Sequence, residues 1–234
     1  MRAFAPLMLL AALPAAANAQ NLVTNGDFEA GNSGFTSQYA FSPGSNSSEG
    51  QYTVRNDPFP WNPFFLSRGD HTTGSGLMFV GNGAPVAGQI VWQSGPIGIS
   101  ALTTYFFEAF TMNVCCGPNY TGLNSDPNFT FRISLDGGAA TDLATLTIPS
   151  NQSGVWFGLS TSFDSGSASS VQLSLVNANT TQAGNDFAVD DIILSTRSVV
   201  NAVPEPSTWA LLILGFGAVG SAMRARRARG LVPA

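Results

Sequence analysis

Apolar and polar residues alternate with a period of two through most of this chain. No stretch before the C-terminal tail repeats at the 3.6-residue period of a helix. The cleanest run is Phe129-Thr130-Phe131-Arg132-Ile133-Ser134-Leu135, which Asp136-Gly137-Gly138 ends in a turn. Residues 51–55, 77–80, 89–93, 143–148, 155–163, 171–176 and 187–194 also read as strands; in 171–176, Val171, Leu173 and Leu175 share a face. Residues 103–114 are apolar on both faces over most of their length, which predicts a central strand. A short strand is expected at the start of Asn21 to Glu29, before the Asn25-Gly26 turn, with Phe28 entering the core. Gly31 to Gly50, rich in Gly and Ser, reads as loop. So does Asn56 to Phe65, where Pro58, Pro60 and Pro63 exclude a central strand. About nine or ten short strands with glycine-rich turns predict an all-β chain folded as a β-sandwich.

The two ends follow a different pattern. Met1-Arg2 is a short positive start, Phe4 to Ala17 is apolar or small, and Ala17-Asn18-Ala19 is a small-x-small cleavage site. Residues 1–19 therefore read as a signal peptide, with the mature chain beginning at Gln20. Residues 203–229 hold a stiff polar clip, Pro204-Glu205-Pro206, then an uncharged apolar run from Ala210 to Met223, then Arg224, Arg226, Arg227 and Arg229. The run of 14 residues, roughly 21 Å as a helix, reads as a short transmembrane helix suited to a thin membrane. The arginines would stay on the cytoplasmic side.

Charge narrows the function of what lies between, a single domain at 20–202. All nine basic residues of the chain are Arg. Four of them (Arg55, Arg68, Arg132 and Arg197) fall in this domain, against thirteen carboxylates, a balance of −9. A domain this acidic, without a basic stripe, is not a nucleic-acid binder. Its many Phe, Ile, Leu and Val argue against disorder.

The tail, from Val203-Pro204-Glu205-Pro206-Ser207-Thr208 through the apolar run to the Arg cluster, resembles the PEP-CTERM sorting signal of exported bacterial proteins. That resemblance implies recognition and processing by an exosortase-type membrane protease-transpeptidase. The protein would be anchored transiently in the inner membrane, then released or attached at the cell surface. A second resemblance is spread over the domain. Asn21-Leu22-Val23-Thr24-Asn25-Gly26-Asp27-Phe28-Glu29 opens it and Phe187-Ala188-Val189-Asp190-Asp191-Ile192-Ile193-Leu194 closes it; between them lie Asp70-His71-Thr72-Thr73-Gly74-Ser75-Gly76 and Val91-Trp92-Gln93. Together these resemble the galactose-binding-like jelly roll of carbohydrate-binding modules. The resemblance implies two packed antiparallel sheets with neighbouring first and last strands.

With those ends adjacent, Asp27, Glu29, Asp190 and Asp191 would converge, and the resemblance implies a structural Ca2+ there, with Glu29 and Asp190 as the foremost side-chain ligands. The ion would tie the chain ends together and do no chemistry. For a ligand, Trp61 with Phe59, Tyr39, Tyr52 and Arg68 offers rings for stacking a sugar and groups for its hydroxyls. Aromatics flanked by prolines also serve to cover the end of a sandwich core. Cys115 and Cys116, the only cysteines, are adjacent; a disulfide between them is favoured, with intermolecular bonds or free thiols as the alternatives. His71, the only histidine, sits in a Gly/Thr turn with no nucleophile motif near it. The expectation is a non-catalytic, exported surface or matrix protein that binds polysaccharide. A structural matrix component without a ligand stands second, and a secreted hydrolase third.

Overall fold

The alternating pattern folds as expected, and the long strands lie within a few residues of their predicted limits. In a computed structural model, residues 20–179, 181, 183–200, 213–221, 223 and 224 are described. The strands are β1 (Phe35–Thr36), β2 (Ala40–Phe41), β3 (Gln51–Arg55), β4 (Met78–Asn82), β5 (Ile90–Ser94), β6 (Ile97–Gly98), β7 (Thr104–Asn113), β8 (Asn128–Leu135), β9 (Ala140–Thr147), β10 (Trp156–Asp164), β11 (Ser170–Asn177) and β12 (Phe187–Ser195). They form two sheets. The first runs β1-β5-β11-β8-β9, with β6 also paired to β11; the second runs β10-β7-β12-β4-β3-β2. Pairing is antiparallel except between β2 and β3.

Period-two alternation builds two apolar layers on the second sheet. Phe79, Phe107, Phe187 and Val189 turn inward and meet Phe129, Phe131, Leu173 and Leu175 of the first sheet in the main core. Their sequence neighbours Met78, Val80, Met112 and Ala188 belong to a second buried cluster with Trp61, Phe65 and Val114. The proline-rich loop thus roofs the outer face of β4, β12 and β7. This is why β7 lacks a polar face: it is central, between β10 and β12, and covered on both sides.

One predicted strand does not form. Residues 21–29 make turns held against β12. Leu22 N–H donates to Leu194 O at 2.9 Å and Ile192 N–H to Gly26 O at 2.8 Å. The Asn21 amide completes the edge, donating to Ile192 O at 2.9 Å and accepting from Leu194 N–H at 3.1 Å. A Cβ on Gly26 would collide with Ile192 O, so this close approach requires glycine. Phe28 is fully buried, as expected.

Residues 19–201 form one unit, and the terminal segments, 1–18 and 202–234, another. In the latter, residues 213–221, 223 and 224 are helical, with Ile213, Leu214, Phe216, Val219 and Met223 exposed. Among the described residues, no helix is long and apolar enough to cross a membrane. The signal peptide, the Pro204-Glu205-Pro206 clip and Arg226, Arg227 and Arg229 lie outside the described residues.

Candidate functional site

The aromatic residues expected to hold a sugar are mostly structural. Trp61 is 1% exposed, and its indole N–H donates to Ser42 O at 2.9 Å. Tyr39 is buried, its hydroxyl accepting from Ala84 N–H at 2.9 Å. Tyr52 is buried and stacks on Phe79 at 4.7 Å, its hydroxyl donating to Asn32 Oδ1 at 2.9 Å. These three rings present no face to a ligand, which corrects their expected role; a ring sunk in the core cannot stack on a sugar. Phe59 is 39% exposed. Arg68 is exposed too, but its guanidinium bonds the carbonyls of Gly154 at 3.3 Å and Ser67 at 2.8 Å.

Three of the four carboxylates of the chain ends, Glu29, Asp190 and Asp191, bond to the turn from Asp70 to Leu77. A bulge in β12 between Asp190 and Ile193 turns Asp190 and Asp191 toward it. Asp190 Oδ2 accepts from His71 N–H at 2.9 Å, and Asp191 Oδ2 lies 2.7 Å from His71 Nδ1 and 2.7 Å from Thr72 Oγ1. Asp70 accepts from Thr73 N–H and Gly76 N–H, and Glu29 accepts from Leu77 N–H at 2.7 Å. Asp27 stands apart, its Oδ1 3.4 Å from Glu29 N. Burial, with Asp191 and Asp70 nearby, pushes Asp190 up to about 7. Among the described residues, no group of three or more His, Cys, Asp or Glu is arranged to hold a metal ion. The His71 ring stacks on Phe110 at 3.7 Å and pins the turn to β7.

A cleft of about 380 Å³ lies at one end of the sandwich, built from loops far apart in sequence. The segment after the proline loop runs beside the end of β7: Leu66 N–H donates to Val114 O at 2.9 Å, Gly117 N–H donates to Phe64 O at 2.6 Å, and Phe65 bridges Cys115. Cys115 and Cys116 are joined by a disulfide across a cis peptide bond. This contact seats Phe64 against Tyr120, ring centroids 5.9 Å apart and edge to face. Phe64 is 48% exposed. Glu49 and Asp186 supply carboxyl groups to the same cleft, and Asn62 and Asn82 supply amides. Burial, with Glu49 nearby, pushes Asp186 up to about 7. Burial raises Glu49 as well.

The sheet faces offer nothing comparable. The outer face of the second sheet is covered by the proline loop around Met78, Val80 and Met112, and further along β7 by the chain after β12. There Ser198 Oγ and Val199 N–H both donate to the buried Glu108 carboxylate, at 2.5 and 2.8 Å. The outer side of β8 and β11 is polar and without rings: Thr130 pairs with Thr145, Arg132 with Asp142, and Ser174 with Gln93. Phe64, Tyr120, Glu49 and Asp186 were not legible as a set in the sequence. The one local signal was the Cys115-Cys116-Gly117-Pro118 turn.

Comparison with known proteins finds a motif match in the tail and a likeness of fold in the domain. Residues 202–227 match the PEP-CTERM protein-sorting motif. No curated protein sequence matches the chain. Among solved structures, it is similar to the Stig cyclase Fisc from Fischerella sp. TAU, at 13% identity and TM-score 0.51, over 77% of this chain and 98% of that one. That likeness is one of fold. A CBM22 tandem domain from Paenibacillus barcinonensis Xyn10C aligns at 14% identity and TM-score 0.44, over 82% of this chain. The chain spans about half, 49%, of that structure. A CBM4 structure aligns at 13% identity and TM-score 0.40, over 75% of this chain and 99% of that one.

Proposed function

We propose that the protein is an exported surface protein whose β-sandwich binds polysaccharide without chemically altering it. Its C-terminal motif marks it for export and surface sorting, with an exosortase-type enzyme as the processing partner. The anchoring of the tail in the inner membrane before processing belongs to the same proposal. The observation that carries the binding reading is the cleft. It brings two partly accessible rings together with carboxyl and amide groups, while one sheet face is roofed by its own loops and the other lacks rings. Rings take the C–H face of a sugar, and the polar groups take its hydroxyls. Weak binding at each copy is raised by many copies on one surface.

A structural Ca2+ near Glu29 and Asp190 is part of the proposal. What supports it is the gathering of Glu29, Asp70, Asp190 and Asp191 on one turn beside a single imidazole. Its role would be to hold that turn to β12.

The test is a glycan array probed with the purified protein and with Tyr120→Ala. Binding by the parent that is lost in a variant of unchanged melting temperature is the expected result. A parent that binds no glycan would leave the structural matrix component as the better reading.

A further inference from the structure

The polar lining of the cleft is unbalanced, and the imbalance selects a ligand. Its side-chain donors are partly committed to the protein. The Tyr120 hydroxyl donates to Leu123 O at 3.1 Å. The Asn62 and Asn82 side chains donate to the same Asn46 Oδ1, at 2.9 and 2.7 Å. No Lys, Arg or His is among the residues that line the cleft. Its acceptors are less committed. Asp186 is 7% exposed and accepts at Oδ1 from Gly83 N–H over 3.2 Å; no donor among the described residues reaches its other oxygen. Glu49 stands half-buried in the same wall and accepts no hydrogen bond from a described residue.

An anionic glycan would meet two carboxyl groups and no cation. A neutral one could use the one N–H that Asn62 and Asn82 each have left, but it would bring no charge to match the two carboxyl groups. A protonated amine brings N–H donors and a positive charge to the carboxylates, and it is also attracted to the faces of nearby rings. The −9 balance of the domain draws cations toward it from a distance.

We infer that the cleft takes a hexosamine unit with a free, protonated amine, its ammonium held by Asp186 and Glu49 and its ring laid across Phe64 and Tyr120. This rests on the polysaccharide reading of the cleft and names the sugar class within it. The ion pair with Asp186, on the buried side, supplies the preference, the ammonium favouring the ionised form of a carboxyl that burial otherwise leaves partly protonated near pH 7. The rings supply the part of the affinity that all hexoses share.

Calorimetric titration separates the two claims. The probes are glucosamine oligomers, their N-acetylated counterparts, neutral glucose oligomers and uronate oligomers, at about pH 7 and low salt. The free-amine oligomers should bind about tenfold or more tightly than the N-acetylated ones, and uronates should not bind. Asp186→Asn, which keeps the side-chain shape, and Glu49→Gln, at a more accessible position, should bring the two forms within about twofold. Tyr120→Ala should weaken both. Equal binding of free and acetylated oligomers, lost in Tyr120→Ala, would overturn the amine inference and leave the polysaccharide reading intact. Binding insensitive to Tyr120→Ala, or no binding by any oligomer, would overturn both.

Discussion

Phe64 and Tyr120 meet edge to face, 5.9 Å apart, because the segment carrying Phe64 is hydrogen-bonded to Val114 and Gly117, the residues on either side of the disulfide dipeptide that precedes Tyr120. Tyr120 N–H donates in turn to Gly117 O at 3.0 Å. The two rings are thus positioned from one point, where Phe65 faces Cys115. Opening the disulfide by Cys115→Ser with Cys116→Ser frees that point without touching either ring. Glycan affinity should fall by about tenfold, close to 1.4 kcal/mol, with the main core unaffected. Unchanged affinity in the double variant would assign the seating to the backbone hydrogen bonds alone.

Trp61→Ala should unfold the protein more readily, whatever it does to binding. The indole is enclosed with Phe65, Met78, Val80 and Met112, and its N–H is bonded to Ser42 O. Removing it costs about 3–5 kcal/mol by cavity formation. Trp61→Phe keeps most of the packing and should lose about 1–3 kcal/mol through the abandoned carbonyl and the smaller ring. Urea melts of the two variants measure both numbers. A Trp61→Ala variant as stable as the parent would contradict the roofed face.

The same residue shows how far the sequence could be read. Strands such as β8 and β11 were legible because alternation reports one buried face, and β7 because its lack of a polar face reports two. What alternation cannot report is the cover on the second face. Met78 and Met112 looked like ordinary apolar strand residues, and the loop that buries them looked like a platform for a ligand. The start of residues 21–29, ahead of the expected Asn25-Gly26 turn, was misread as a short strand because Asn21 supplies through its amide the bonds that a ladder supplies through its backbone. The cleft was hidden for another reason. Glu49, Phe64, Tyr120 and Asp186 sit on four loops, and only the sheet order brings those loops to one end.

Glu108 should act as the latch for the last turn of chain before the sorting motif. It is fully buried and accepts from Ser160 Oγ at 2.6 Å as well as from Ser198 and Val199. Glu108→Ala strands three donors beside a cavity and should cost about 3 kcal/mol. Limited proteolysis should then cut residues 196–200 sooner than in the parent. An unaltered cleavage pattern would mean that contacts other than the Glu108 carboxylate hold the segment.

Chelation tests the proposed calcium. Adding excess EDTA to protein prepared with calcium should lower the melting temperature by several degrees, as expected for loss of a ligand bound only by the folded state. Glu29→Gln should shrink that difference. A melting curve that ignores the chelator would mean that the hydrogen bonds of the turn from Asp70 to Leu77 are sufficient.

Asp186 gives the protein an acid-side stability that can be assigned to one residue. Its folded pKa stands near 7 against the usual 3.8, chiefly through burial, with Glu49 adding to the shift and Gly83 N–H opposing it. Between about pH 4 and pH 7 the folded chain keeps a proton here that the unfolded chain has released, so acidification favours the folded state. The contribution is fully present below about pH 4 and is lost as pH rises to about 7, at no more than about 1.4 kcal/mol per pH unit. Asp126, Asp136 and Asp142 are held below their usual range by hydrogen bonds, and their contribution runs the other way, vanishing as pH falls toward and below about 4. Thermal melts at a series of pH values should therefore show stability rising from pH 8 to about pH 5, then falling in stronger acid. Asp186→Asn, which cannot ionise, should be more stable than the parent at pH 8 and should flatten the rise. Parallel pH profiles in parent and variant would remove Asp186 as its source and leave Asp190, the other buried carboxyl raised to about 7, to account for it.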